Sequence, residues 1–311
     1  MTRNVTFYSD GIRLEGLIVT PEGAASGEPR PTLLICSGLF GLKEWVPSRW
    51  WPQFVDKGFT CMAFDYRGFG TSDGTKGRVD PQEQVRDVIH AVTFLTQQPD
   101  VDPRAIGVLG WGLGAGVVVS AAARDARIAA VAAVNGPGDV ARVTRDGVPY
   151  TVWLDVQERL AADRVRRVLT GESERIPYSE ITHPGGFNPN TTQFDKDLAE
   201  LGETPTAEFT LESAEAYYAF RPELEVASIS PRPLLVVHGT HNHYMPIDEA
   251  RRMFALAKEP KTLLEIPGAA HLEWIAQDSE FYRPNVAKVV SWFIDAFSEV
   301  AVIAPADAPV P

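Results

Sequence analysis

Cysteine is scarce in this chain: Cys36 and Cys61 are the only two in 311 residues. Each sits in an apolar run typical of a buried strand, which reads as two reduced core thiols and not as a disulfide framework. Basic charge is also short, with 29 Lys and Arg against 41 Asp and Glu, a formal net charge of −12. Nucleic acid and anionic membrane surfaces call for clustered cations, so neither is an expected partner. No run approaches the about 18 apolar residues of a membrane span, and the opening MTRNVTFYSDG lacks the apolar centre of a secretory signal. The expectation is a cytoplasmic protein, and the sequence leaves its oligomeric state open, a homodimer included.

What the chain does have is a repeating rhythm. Val5, Phe7, Ile12, Leu14, Leu17 and Val19 alternate around Asp10-Gly11, the pattern of an antiparallel hairpin. TLLICSG (32–38) and FTCMAFDYRG (59–68) read as continuous buried strands, with a tryptophan-bearing helix between them that a glycine closes at Lys57-Gly58. Asp80-Pro81 supplies a cap and first-turn proline for a helix whose Val85, Val88, Ile89, Val92 and Leu95 share one face. Strand 105–109, helix 113–123 and strand 128–134 follow. The same alternation returns at PLLVVHG (233–239), helix 248–257, KTLLEIPG (261–268) and helix 286–297. Fully apolar strands alternating with helices predict an α/β fold with a mostly parallel sheet covered on both faces.

Residues 136–226 break that rhythm. They hold a long helical pattern (152–169), the loop HPGGFNPNTT (183–192) and a short helix around AEAYYAF (214–220). An insertion at the carboxyl ends of parallel strands overhangs the crevice where open sheets bind ligands. The expected division is therefore a core of 1–135 and 227–299, a helical cap of 136–226, and a loose Pro/Ala-rich tail of 300–311.

One absence is chemical. In GVLGWGLGAG (107–116) a strand runs into glycines and a helix resumes at once. Such a turn often presents a serine as G-x-S-x-G. Here Gly112 stands in the middle, with no side chain.

The segments GLFGLKEW, FDYRGFGTSDG, GWGLGAG, HGTHNHYMP and PGAAHLEW resemble, in order and spacing, motifs of the α/β-hydrolase superfamily. The resemblance spans nearly all of 1–299 and is closest to the capped branch with dienelactone-hydrolase-like and polyketide-transferase-like proteins. It implies a catalytic Ser, Asp and His in that chain order. Carried over residue by residue, the nucleophile position falls on Gly112, the acid on Asn242 and the base on His271. The resemblance also implies an oxyanion hole from the N–H of Leu113 and of Leu39 or Phe40. The usual His-Gly before that loop is here Ser37-Gly38. Only the histidine of the triad survives.

Asn242 can accept a hydrogen bond from the His271 ring but cannot neutralise an imidazolium. Losing the acid costs about 10⁴ in rate in well-studied triads and losing the nucleophile on the order of 10⁶. Efficient serine-hydrolase chemistry is excluded. Main-chain donors and one histidine still suit reactions in which an oxyanion or enolate develops without an acyl-enzyme, such as cyclisation, elimination or isomerisation. The expectation is a cofactor-free cyclase, lyase or isomerase acting on a small hydrophobic, polyketide-like metabolite. Two alternatives are a ligand-binding pseudo-hydrolase and a rewired hydrolase, thioesterase or acyltransferase.

Several other residues bear on the pocket. Ser37 could be a displaced nucleophile or, more simply, a hydroxyl that satisfies a strand-end backbone group. Cys36 should face the core. Glu44 could overhang the site or form a surface ion pair, and His183 could meet substrate from the cap loop. Trp111, Trp153, Tyr217 and Tyr218 could line an apolar pocket or serve as packing. His90 should be exposed and Asp248 should cap a helix. His238, His241 and His243 cluster without a carboxylate, so neither a metal nor a cofactor is expected.

Overall fold

The computed structural model of the chain describes residues 1–25, 27–182, 184, 208–273 and 275–303. It opens on the expected hairpin. β1 (Thr2–Ser9) pairs antiparallel with β2 (Ile12–Val19), Phe7 opposite Leu14. Asp10 and Gly11 between them both take positive φ, 51° and 80°, as a two-residue turn matched to strand twist requires.

The chain then alternates as predicted: β3 (Arg30–Cys36), α1 (Val46–Val55), β4 (Thr60–Phe64), α2 (Pro81–Leu95), β5 (Val101–Trp111), α3 (Leu113–Arg124) and β6 (Ile128–Val134). Asp80 caps α2, its side chain accepting from the Gln82 N–H at 2.9 Å. The insertion follows, with α4 (Val140–Asp146), α5 (Tyr150–Thr170), β7 (Arg175–Pro177), α6 (Tyr178–Thr182), β8 (Glu208–Thr210) and α7 (Leu211–Tyr218). Two 3-10 turns, Pro222–Leu224 and Val226–Ile229, lead back to β9 (Leu234–Gly239), α8 (Ile247–Leu256), β10 (Lys261–Ile266) and α9 (Tyr282–Ile303).

Eight strands form one sheet in the order β1-β2-β4-β3-β5-β6-β9-β10, antiparallel at β1–β2 and β2–β4 and parallel elsewhere. Helices α1 and α9 pack together on one face, Phe54 against Phe293 at 5.8 Å between ring centres, and α2 packs on α3 on the other. Gly107 explains the close seat of α9. A Cβ there would stand 2.8 Å from Phe293 and 2.9 Å from Phe297, inside van der Waals contact.

The register brings Cys36, Gly110 and Ala133 side by side, so β3, β5 and β6 end at one level. The insertion packs over that edge. Phe40, in the loop after β3, meets Tyr178 of α6 and Phe209 of β8 edge-on at 4.9 and 5.6 Å. Val79 donates its N–H to Ser213 Oγ at 2.8 Å. Arg142 of α4 is held by Glu223 and by Glu249, which also accepts the N–H groups of Gly138 and Asp139.

Four expectations need correction. The insertion expected as a helical cap is not wholly helical, since β7 and β8 form an antiparallel ribbon. Helix α9 runs on to Ile303 because the apolar pattern continues past Phe297, and of the tail only 304–311 lies outside the described residues. Asp248 does not cap α8: Pro246 holds the cap position, and Asp248 sits in the first turn paired with Arg251 at 3.5 Å. His90 is not simply exposed, because its Nδ1 bonds Ser9 Oγ at 2.8 Å across the β1–α2 contact.

Candidate active site

The turn from β5 into α3 keeps the shape of a nucleophile elbow. Gly112, at φ 56° and ψ −123°, holds the cap position of α3. That region is costly for a side chain, and glycine enters it freely. The loop after β3 is pressed onto the same helix end. A Cβ on Gly114 would fall 2.2 Å from the Ser37 carbonyl oxygen, and one on Gly38 would lie 3.9 Å from the Leu113 N. Leu113 N–H is the first of its helix and has no acceptor within it, and Leu113 lines the cavity above Gly112.

His271 comes to this spot from the loop after β10. A Cβ built on Gly112 would stand 3.7 Å from His271 Nε2 and 4.0 Å from Gly38 Cα. The other ring nitrogen, Nδ1, is 3.2 Å from Asn242 Oδ1. The Asn242 amide cannot be turned round: Oδ1 already accepts the N–H groups of Tyr244 and Met245, at 3.1 and 3.0 Å. Nδ1 therefore carries the proton in the neutral ring, and Nε2, facing Gly112, is the basic nitrogen.

Behind Asn242 lies His238, buried at the end of β9. Its Nε2 is 2.6 Å from the Met245 carbonyl oxygen and must donate to it. Burial, above all, pushes this imidazole down to about 4, so it stays neutral. The Asn242 NH₂ then faces that N–H at 3.3 Å, donor against donor. An oxygen in the same place would meet a donor instead.

A residue that the sequence did not single out holds this arrangement. Asn135, fully buried after β6, adopts φ 52°, which asparagine tolerates better than most side chains. Its Nδ2 donates to the His271 carbonyl at 3.0 Å, and its Oδ1 accepts the Gly239 N–H at 3.0 Å. One amide thus ties the loop that bears His271 to the strand end that launches Asn242. Nothing in NG at the end of an apolar strand signals this; it arises from three segments meeting.

The cavity above Gly112 holds about 570 Å³ of empty volume, counting its open mouth. Of the expected site residues, Gly112, Leu113, Leu39, Phe40, Trp111, Tyr217 and His271 line it. Trp45, Tyr178, Thr182, Tyr244 and Met245 join them without having been anticipated. Trp111 and Tyr244 flank the imidazole, ring centres 5.6 and 5.0 Å away.

Other expected residues are not brought there. Ser37 is buried off the cavity, and its hydroxyl has no partner among the described residues, so it satisfies no strand-end group. Glu44 is exposed outside the cavity; Lys43 beside it pairs with Asp65 instead. Trp153 and Tyr218 meet at a tilt, ring centres 5.5 Å apart, and the Tyr218 hydroxyl donates to the Ile181 carbonyl, so both pack the insertion. Cys36 is fully buried, which pushes its thiol up to about 12 and leaves no thiolate near neutrality. His241 turns to Thr240, and among the described residues no three His, Cys, Asp or Glu side chains gather at metal-binding distance. His183 and the Trp274 of PGAAHLEW lie outside the described residues. No helix among the described residues is long and apolar enough to cross a membrane.

A parallel sheet with a strand–glycine–helix elbow, a histidine on the last strand loop and a helical insertion above them defines the α/β-hydrolase class. Residues 31–273 match the α/β-hydrolase fold family, and the chain belongs to it. It is 29% identical to polyketide transferase ATR5 of Stachybotrys chlorohalonatus, over 90% of this chain and 94% of that one. It is 27% identical to acyltransferase drtE of Aspergillus calidoustus, over 88% and 89%. In fold it is similar to the α/β hydrolase GrgF of Penicillium sp. sh18, with a TM-score of 0.79 and 24% identity over 97% of this chain and 99% of that one.

Proposed function

We propose that this protein is a cofactor-free cyclase, lyase or isomerase that acts on an apolar, polyketide-like carbonyl compound without forming an acyl-enzyme. The observation that carries this reading is the approach of His271 Nε2 to the side-chain position that Gly112 leaves open, 3.7 Å from a Cβ there. His271 takes a proton from the substrate. The charge that develops on the carbonyl oxygen is met by the Leu113 N–H and by Leu39 or Phe40, and the imidazolium returns the proton to a different atom. Asn242 and Asn135 hold the ring and its loop in place. The aromatic walls exclude competing water and favour a hydrophobic substrate. Names such as polyketide transferase among the relatives support the substrate class only.

A second reading is direct acyl transfer, in which a substrate hydroxyl attacks a carbonyl held in the hole. Relatives named acyltransferase and thiohydrolase favour it. The test is to incubate the protein with short β-ketoacyl thioesters and polyketide-like enones and to follow both product and protein by mass spectrometry. Products isomeric with the substrate, or elimination fragments whose masses sum to it, lost in His271→Ala, with the protein mass unchanged and no free thiol released, support the main reading. Thiol release with an unchanged protein supports the second. An acylated protein overturns both.

A further inference from the structure

Helix α5 turns an apolar face to solvent. Five of the ten large hydrophobic side chains exposed among the described residues lie on it: Tyr150, Leu154, Val165, Val168 and Leu169. Val168 and Leu169 are 82% and 77% exposed, so they add almost nothing to the packing of their own chain. We infer that this face pairs with the same face of a second copy of the chain, the two α5 helices running antiparallel across a two-fold axis beside Ala161.

The helix already has a face for its own chain. Trp153, Val156 and Leu160 pack against the hydrophobic core, and Arg164 and Arg167 reach Glu215 of α7. On the opposite side Leu154, Ala161 and Val168 recur every seven residues, two helical turns, and Val165 lies beside that line. The outer side of a surface helix is normally polar, and an apolar line of this period is the seam by which one helix packs on another. Ala161 at the middle of the seam is small enough to let two helix axes come close. Leu154 of one helix then falls between Val165 and Val168 of the other. Because α5 is tied to α7, whose Tyr217 lines the cavity, pairing braces the insertion above the site in both copies.

Charge selects an identical partner and an antiparallel direction. Arg159, Asp163, Arg164 and Arg167 are used in ion pairs within their own chain. Asp155, Glu158 and Arg166 are exposed and enter no ion pair among the described residues. Asp155 and Arg166 are three helical turns apart, so they share one flank of the seam. A two-fold axis perpendicular to the helices sets each flank against the same flank of the other copy. Asp155 of each copy then meets Arg166 of the other, twice, about an axis between Leu160 and Ala161. Glu158, one turn beyond Asp155, adds to the acidic half of the face. A parallel pair sets opposite flanks together and keeps these charges apart.

One helix pair makes a small interface, so the dimer should dissociate on dilution through about micromolar concentrations. Sedimentation equilibrium of the intact 34.1 kDa chain should show its mass doubling as concentration rises. Val165→Lys, at an exposed position, should weaken association about tenfold or more. Asp155→Arg and Arg166→Asp should each weaken it, and the two together should restore it, which a merely adhesive face would not do. Ala161→Cys should give a disulfide-linked dimer on mild oxidation, since Cys36 and Cys61 are buried. Each variant is checked for native circular dichroism. A monomer at every concentration, a dimer indifferent to Val165→Lys, or one that the double exchange fails to restore would overturn the inference. So would a monomer that binds phosphatidylserine vesicles through Val165, which would give the face to a membrane.

Discussion

His271 Nδ1 stands 3.2 Å from Asn242 Oδ1, in the place where a charged acid would complete a relay. The geometry of a triad is kept and its negative charge is not. Most of what can be tested follows from that difference.

Asn242→Asp puts a carboxylate where four N–H groups already converge: Tyr244, Met245, His271 Nδ1 and His238 Nε2. The charge stabilises the imidazolium, so His271 should titrate at higher pH in the variant than in the parent. Imidazole proton shifts followed by NMR across a pH series measure it. No movement would mean that the two side chains do not meet in solution.

Asn135 should matter for stability as well as geometry. Replacing it with leucine removes two buried hydrogen bonds and strands the Gly239 N–H and the His271 carbonyl. The expected loss is about 2–4 kcal/mol by urea unfolding. Asn135→Gly keeps the φ of 52° at no steric cost, so a part of the backbone should recover while both polar groups remain unmet. A leucine variant as stable as the parent would contradict the role given to this amide.

The protein should lose stability as pH falls from about 6.5 to about 4, partly through His238. Its buried ring is pushed down to about 4, mainly by desolvation, from an ordinary 6.5. The unfolded chain therefore binds a proton through that window which the folded chain refuses, and stability falls as pH is lowered. The contribution is complete above the ordinary value and amounts to no more than about 3.5 kcal/mol. Thermal melts of the parent and of His238→Gln at pH 7 and pH 4.5 should show a shallower decline in the variant. Equal declines would assign the effect to other groups.

Gly114→Ala should be disruptive although alanine favours helices. Its Cβ would lie 2.2 Å from the Ser37 carbonyl oxygen, backbone that can yield only by parting the β3 loop from α3. Weaker binding of any cavity probe together with a lower melting temperature is expected, while a variant that binds and melts like the parent would show that the loop is not pressed on the helix.

Much of this molecule can be read from residue order, and the reasons are physical. The runs around Gly112 carry their strand, turn and helix in local pattern, because apolar strands buried on both faces and a glycine elbow leave few other solutions. Positions 112, 242 and 271 come from the resemblance to α/β hydrolases, carried over motif by motif. What escaped depends on tertiary approach. Asn135 acts only because the ends of β6 and β9 and the His271 loop converge on it. Tyr244 and Met245 enter the cavity because Asn242 curls their backbone inward. Glu44 carries a charge suited to chemistry and faces solvent, and the hydroxyl of Ser37 is sealed away from the cavity. Residue type alone gave no sign of either orientation.

The central claim is that no side-chain oxygen of this chain attacks a substrate. Intact-mass analysis after treatment with a fluorophosphonate tests it most directly, with the double variant Gly112→Ser, Asn242→Asp alongside. A serine at 112 would hang from a Cβ 3.7 Å from the base, so the double variant should take up one phosphonate. The parent should take up none. A stoichiometric adduct on the parent, mapped to Ser37 or any other hydroxyl, would contradict the account.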